Sequence, residues 1–227
     1  MPKPTVSGAI ALVAAPALAL VGVAVTPTMS DHTATQVEAL TVHRSAMILG
    51  LTLQTVALGL LIAGIIWLSL VVRQRAPRLA LAGGILGVAG ALVVLFENGA
   101  AAAAATIVSH FDPATATAAV DRIHSSALAG LEPLSILGDL GLAILGYLAI
   151  KAGAARWTQM AIPVSALAVG AGFATGSKPL VVVAFAIQLI GVAGAAAGIL
   201  GRPALLRSSD GAVGAVKYDG VAHSSVR

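Results

Sequence analysis

The segment 123–151 constrains the fold most, because it is long and apolar enough to cross a bilayer yet carries two acids, Glu132 and Asp139. A charge in the hydrocarbon region is costly, so such acids normally face a protein interior or a water-filled cavity. Their spacing of seven residues places them on one face of a helix, two turns apart, with Ser135 between them. The segment therefore predicts a bundle of membrane helices with a polar seam.

The composition agrees with a polytopic membrane protein. Hydrophobic residues make up 58% of the 227 residues and charged residues 10%, against about a quarter in soluble domains. At about 20 residues per crossing, the apolar runs predict an all-α bundle of six transmembrane helices within residues 1–203, and a disordered cytoplasmic tail over 204–227. The predicted spans are 7–25, 46–72, 79–103, 127–150, 160–175 and 180–200.

Basic residues predict the orientation of this bundle. Ten of the 13 lysines and arginines lie in segments that the predicted spans place on one side, most densely in the turn 73–78. Because positive charge concentrates on the cytoplasmic side, we expect both termini in the cytoplasm and the bundle in a bacterial plasma membrane. The first run also resembles a cleaved signal, but Pro27 disfavours cleavage after Thr26. Basic residues that flank membrane spans indicate topology, so the expected environment is the lipid bilayer and no nucleic-acid partner is predicted.

A weak internal repeat relates two parts of the chain. TATQVEALTVHRSAM at 33–47 resembles TATAAVDRIHSSAL at 115–128. Each copy precedes an apolar span and then a basic turn, Ala-Pro-Arg at 76–78 and Ala-Ala-Arg at 154–156. The repeat predicts that the second and third spans are a parallel copy of the fourth and fifth.

Polar residues in the outer half of the predicted spans form the candidate site, because the rise per residue brings them to similar depths. Glu97, Glu132 and Asp139 are the candidate proton donors or cation ligands, with the deepest, Asp139, the preferred one. The candidate binding residues are Gln54, Phe96, Asn98, Ser135 and Gln188. These residues predict an outward-opening acidic pocket; alternatively, they only hydrogen-bond neighbouring helices.

His43 and His124 occupy matching places in the repeat, at the mouths of the second and fourth predicted spans. Two such imidazoles are the weak candidates for a metal or haem site. Neither lies deep in a span, and both sit beside charged residues, which favours helix capping and solvated contacts. The chain has no cysteine and no HExxH, GxSxG or phosphate-binding glycine loop. We therefore predict no metal and no cofactor.

The order of these features is similar to that of a known group of proteins. Along residues 5–203 it runs as a polar outer loop, His43, the basic turn 73–78, a glycine-rich third span, the loop 121–124, and Lys151 followed by Arg156 and Trp157. This order resembles that of small six-span integral membrane proteins of actinobacteria, a largely uncharacterised group. The resemblance implies the fold and a bacterial source, and it implies no catalytic residue.

Three functions fit the sequence. The first is the binding or transport of a small lipophilic or cationic molecule through the acidic pocket. The second is an intramembrane enzyme in which one acid protonates a lipophilic substrate, as in a terpene cyclase; such an enzyme needs aromatic residues to stabilise carbocations, and the chain has only eight. The third is an accessory subunit whose small-residue helix faces pack on a membrane protein partner.

Overall fold

Helices make up nearly all of the computed structural model, which describes residues 6–27, 33–125 and 129–201. Within these ranges no strand occurs, so the all-α prediction is confirmed for them. The helices are α1 (Val6–Val25), α2 (Thr33–Val42), α3 (Arg44–Val72), α4 (Pro77–His110), α5 (Pro113–His124), the 3₁₀ helix η1 (Ala129–Ser135), α6 (Ile136–Ala152), α7 (Arg156–Ala174) and α8 (Lys178–Leu200). The predicted tail 204–227 lies outside the described residues.

Among the described residues, five helices are long and apolar enough to cross a membrane. They are α1, α3, α4, the stretch Pro133–Ala152 and α8. These five helices confirm the polytopic membrane character that the composition predicted. The predicted span 160–175 falls on α7, which is not one of the five, so the sixth crossing stays a prediction.

Six long helices pack into a closed ring. In ring order, α1 packs on α3, α3 on α4, α4 on α6, α6 on α7, α7 on α8, and α8 on α1. Further contacts from α6 to α3 and to α8 cross the ring. α7 packs against both α6 and α8, so it is one of the six members of the ring, although it is less hydrophobic than the five candidate spans.

Apolar side chains fill one end of the ring, and α2 and α5 cover part of the other. The larger core lies at the end of the turn that joins α3 to α4, and it includes Leu12, Ile65, Leu68, Leu145 and Leu148. A second cluster joins α2 and α5 to the opposite ends of α3 and α4; its members are Val37, Leu40, Met47, Leu51, Ala104, Ala105, Ala116 and Val120. The two short helices therefore pack as part of the bundle.

The structure differs from the predicted third span, 79–103. The helix continues to His110, and α5 follows where a loop was expected. Asp112 explains the break: its carboxylate accepts hydrogen bonds from the backbone N–H groups of Ala114 and Thr115, each at 3.1 Å. An N-cap acid followed by Pro113 at the first helical position is a strong local start signal.

The predicted fourth span, 127–150, also differs. It is not one α-helix, because residues Ala129–Ser135 form η1 and α6 begins only at Ile136. Pro133, inside η1, has no backbone N–H and disfavours a regular α-helical ladder at this point. The span is therefore a broken helix.

Candidate functional site

Gln54 of α3 and Asn98 of α4 lie at the same level of the ring. Ile65 of α3 packs against Gly87 of α4, which fixes the register of these antiparallel neighbours. Gln54 and Asn98 are each eleven residues beyond this contact on their own helices, so the equal rise per residue brings them to one depth. The sequence-based depth estimate for these two residues therefore agrees with the packing.

Two further residues join this level from α1 and α8. Gln54 Nε2 donates a hydrogen bond to Thr26 Oγ1 at 3.3 Å, and Thr26 Oγ1 donates to Gly22 O at 2.8 Å. Lys178 Nζ donates to Ala24 O at 2.8 Å and to Thr26 O at 2.6 Å. These two carbonyls lie at the carboxyl end of α1, where the helix dipole favours a cation. Lys178 therefore fastens the end of α1 to the start of α8.

Asn98 and Glu97 bring buried polar atoms to the same level. Asn98 is only 9% exposed, and Oε1 of Glu97 is excluded from solvent. Asn98 Nδ2 has no hydrogen-bond partner among the described residues. A buried amide left without a partner costs about 1–3 kcal/mol. We name Thr26, Gln54, Glu97, Asn98 and Lys178 the polar layer.

The broken helix lies beside the α4 part of the polar layer. Gly90 of α4 packs against Gly138 and against the backbone carbonyl of Ser135. Because α4 and α6 are antiparallel, α4 beyond Gly90 runs along η1, with which it is in contact. Glu97 and Asn98 follow about two turns later and are level with η1. Irregular backbone at membrane depth occurs where it is buried in protein or lines a cavity.

Glu132 belongs to η1, and its side chain lies outside what the structure describes. Ser135 is half-buried at the junction of η1 and α6. Both residues therefore belong to the broken helix that the α4 residues Glu97 and Asn98 approach.

Asp139 lies deeper than the polar layer and on another face of α6. It is seven residues before Gly146, which packs on Ile162 of α7, so it points within about 20° of the side that faces α7. Its neighbour Gly138 faces α4 instead. Gly90 and Gly138 lie at one level. Glu97 is seven residues from Gly90 toward α5, and Asp139 is one residue from Gly138 in the opposite direction, so the two acids are about 12 Å apart along the bundle axis. The structure does not bring these two acids together.

Gln188 and Phe96 are also separate from the polar layer. Gln188 is 8% exposed and lies on α8, three residues before Gly191, which packs on Ala161 of α7. Phe96 is 61% exposed on the outward face of α4. Of the predicted binding residues, only Gln54 and Asn98 therefore lie in the polar layer.

The structure describes the side chain of only one of the two candidate histidines. His43 is exposed and precedes α3 without a side-chain capping bond. His124 ends α5, and its side chain is outside the description. No group of three His, Cys, Asp or Glu side chains that could hold a metal ion occurs among the described residues.

No protein-family model, curated protein or solved structure matches this chain. These comparisons assign no family, and they give no support to the actinobacterial resemblance.

Sequence reasoning missed Thr26 and Lys178. The predicted spans left both residues between helices, Lys178 between 160–175 and 180–200 and Thr26 directly after 7–25. One signal was present: a lysine at the first position of a helix opposes the helix dipole, which indicates that its charge serves another partner. The partner itself is remote in sequence, at the end of α1.

Proposed function

We propose that this multi-pass integral membrane protein binds a small cation at the polar layer and carries it through the ring of helices. Asn98 carries the proposal, because it is a buried amide whose Nδ2 has no partner among the described residues, and it follows Glu97, whose Oε1 is also buried. An amide can turn by 180° and present its oxygen in place of its nitrogen. Asn98 and Glu97 then offer two buried oxygen atoms from neighbouring positions of α4.

The chemistry of the neighbouring groups suits a cation. Carboxylate, amide and backbone carbonyl oxygens are the ligands that hard cations prefer. The broken helix adds backbone carbonyls at this level, and discontinuous membrane helices are a recurring feature of ion sites in transporters. Glu132, in η1, is the second acid that we assign to this site. At this level the positively charged ammonium of Lys178 already donates hydrogen bonds to two backbone carbonyls.

Asp139 and Gln188 are assigned to a deeper part of the same route. Asp139 lies about 12 Å farther along the bundle than Glu97. Gln188 is buried on α8, about one turn from the contact of Gly191 with α7. A cation that leaves the polar layer toward the opposite side would meet these two residues next.

The aromatic residues favour a cation site over a terpene-cyclase-like enzyme. Phe96, Phe111, Tyr147 and Trp157 are 61%, 56%, 40% and 51% exposed. Half of the eight aromatic residues therefore point away from the acids, where they cannot stabilise a carbocation inside the ring.

Thermal unfolding in lipid nanodiscs tests the proposal, with Na⁺, K⁺ and tetramethylammonium as probes. A ligand at 100 times its Kd stabilises the folded state by about 2.7 kcal/mol, which raises the melting temperature measurably. Glu97→Gln and Asn98→Leu keep the side-chain size and should abolish the shift. Glu38→Gln removes an exposed acid of α2 and is the matched control. The proposal is contradicted if a cation raises the melting temperature of Glu97→Gln as much as that of the wild type. It is also contradicted if no probe raises the melting temperature of the wild type.

Cation uptake into proteoliposomes separates binding from transport. Asp139→Asn keeps the shape of the side chain and removes its charge. We expect this variant to retain the thermal shift, because Asp139 is outside the polar layer, and to lose uptake. Equal uptake by the wild type and Asp139→Asn would remove Asp139 from the route.

A further inference from the structure

A lateral groove separates α3 from α4 at the end of the bundle that α2 and α5 cover. Its volume is about 370 Å³, within the range of about 300–1,000 Å³ typical of small-molecule sites. The lining residues are Arg44, Ile48, Leu51, Thr52, Thr55, Val56, Ala102, Ala105 and Thr106. Along α3 the lining extends from Arg44 to Val56, a length of about 18 Å. No residue of the polar layer lines it, so this groove is independent of the proposed cation site.

The walls of the groove are mainly apolar, and two of its three threonines bond within their own helices. Thr52 Oγ1 donates to Ile48 O at 2.7 Å, and Thr106 Oγ1 donates to Ala102 O at 3.0 Å. These hydroxyls are satisfied within their own helices, so they require no partner from a ligand. The groove is therefore suited to a hydrocarbon chain.

Arg44 places a positive charge at one end of this apolar groove. It is exposed, and no carboxylate among the described residues pairs with it. Arg44 also begins α3, whose N-cap residue His43 makes no side-chain capping bond. The first N–H groups of the helix thus add to the attraction for an anion next to the guanidinium.

We propose that the groove binds one anionic phospholipid of the surrounding bilayer, with an acyl chain between α3 and α4 and the phosphate on Arg44. The occupant follows from the charge pattern: an apolar channel about 18 Å long that ends in an arginine is complementary to a chain that ends in a phosphate. Seven of the nine lining residues are exposed, so the groove is open to a ligand from outside the bundle.

Photolabelling in nanodiscs tests this proposal. The probes are phosphatidylglycerol and phosphatidylcholine that carry the same diazirine-labelled acyl chain. Peptide mass spectrometry measures the labelled fraction of peptides that contain residues 48–56 and 102–106. One arginine near a membrane surface gives a preference of about fivefold, so we expect phosphatidylglycerol to label these peptides about five times more than phosphatidylcholine.

Two variants and one control separate the parts of the site. Arg44→Gln should make the labelling by the two probes equal, whereas Arg78→Gln, an exposed arginine outside the groove, should leave the preference unchanged. Ala102→Phe fills the groove and should lower labelling by both probes. Circular dichroism checks that this variant folds. Arg44→Gln tests the headgroup contact independently of the acyl chain.

Equal labelling of the wild type by both probes would overturn the assignment of an anionic lipid. A loss of preference in Arg78→Gln as large as in Arg44→Gln would also overturn it. Labelling unaffected by Ala102→Phe would show that the chain lies elsewhere. A dimer of the wild type that Ala102→Phe disrupts would identify a second copy of this chain as the occupant, in place of a lipid.

Discussion

Gly90→Ala tests the packing that holds the broken helix beside α4. A Cβ on Gly90 would overlap the backbone N and Cα of Gly138 and would lie 2.8 Å from Ser135 O. Backbone atoms cannot turn aside as a side chain can, so α4 and the start of α6 must separate. This separation would also move Asn98 away from η1, and we expect weaker cation binding to accompany the lost stability.

The magnitude follows from two opposing effects. Inserting a methyl group into a packed contact typically costs about 1–3 kcal/mol. Alanine is a better helix former than glycine by about 0.5–1 kcal/mol, which offsets part of that cost. We therefore expect Gly90→Ala to lower the free energy of unfolding by about 1–2 kcal/mol.

Two other glycines provide matched controls. A methyl group on Gly99, on the same helix, would meet no atom within 4 Å, so Gly99→Ala should be neutral or stabilising by up to about 1 kcal/mol. On Gly138 a Cβ would lie 3.4 Å from the Cα of Gly90, an ordinary contact, so Gly138→Ala should be tolerated. SDS titration of the protein in mixed micelles, followed by circular dichroism, measures all three. Equal stabilities of Gly90→Ala and the wild type would refute the reasoning.

Three further predictions concern the ends of helices. Lys178→Met removes two hydrogen bonds to the end of α1 and should cost about 1–2 kcal/mol in the same SDS titration; an unchanged midpoint would mean that the ammonium does not hold α1. The hydrogen bond from the Thr115 hydroxyl, followed by backbone bonds, holds the pKa of Asp112 below its ordinary value of 3.8. Its stabilisation of α5 is therefore present above that value and is lost as the pH falls through the lowered pKa. The protection factors of the α5 amides, which correct for the slower intrinsic exchange in acid, should fall over this range, and less so in Asp112→Asn. A periplasm-active reporter fused after residue 76 should be inactive and one after residue 114 active; the reverse pattern would invert the predicted orientation.

The sequence alone identified a membrane bundle, because hydropathy over about 20 residues is a local property that needs no tertiary contact. The rise per residue from the predicted helix ends placed Gln54, Asn98 and Gln188 at similar depths. The packing agrees for Gln54 and Asn98, although α4 ends at His110 and not at 103, whereas Gln188 lies outside the polar layer. The start of α5 was readable in principle from Asp112 and Pro113, and the break at Pro133 from the proline itself. The predicted spans followed hydropathy alone, so they contained neither a helix start at Pro113 nor a break at Pro133.

The tertiary structure decided which polar residues meet. Glu132 and Asp139 were grouped by helical spacing, yet Asp139 takes the face of α6 that packs on α7, because the glycine contacts of Gly90 with Gly138 and of Gly146 with Ile162 fix how α6 is turned. Lys178 reaches Ala24 and Thr26 only because ring closure places α8 beside α1. Periodicity and hydropathy report how each segment folds by itself, whereas the rotation of a helix and the choice of its neighbours depend on contacts between segments remote in sequence.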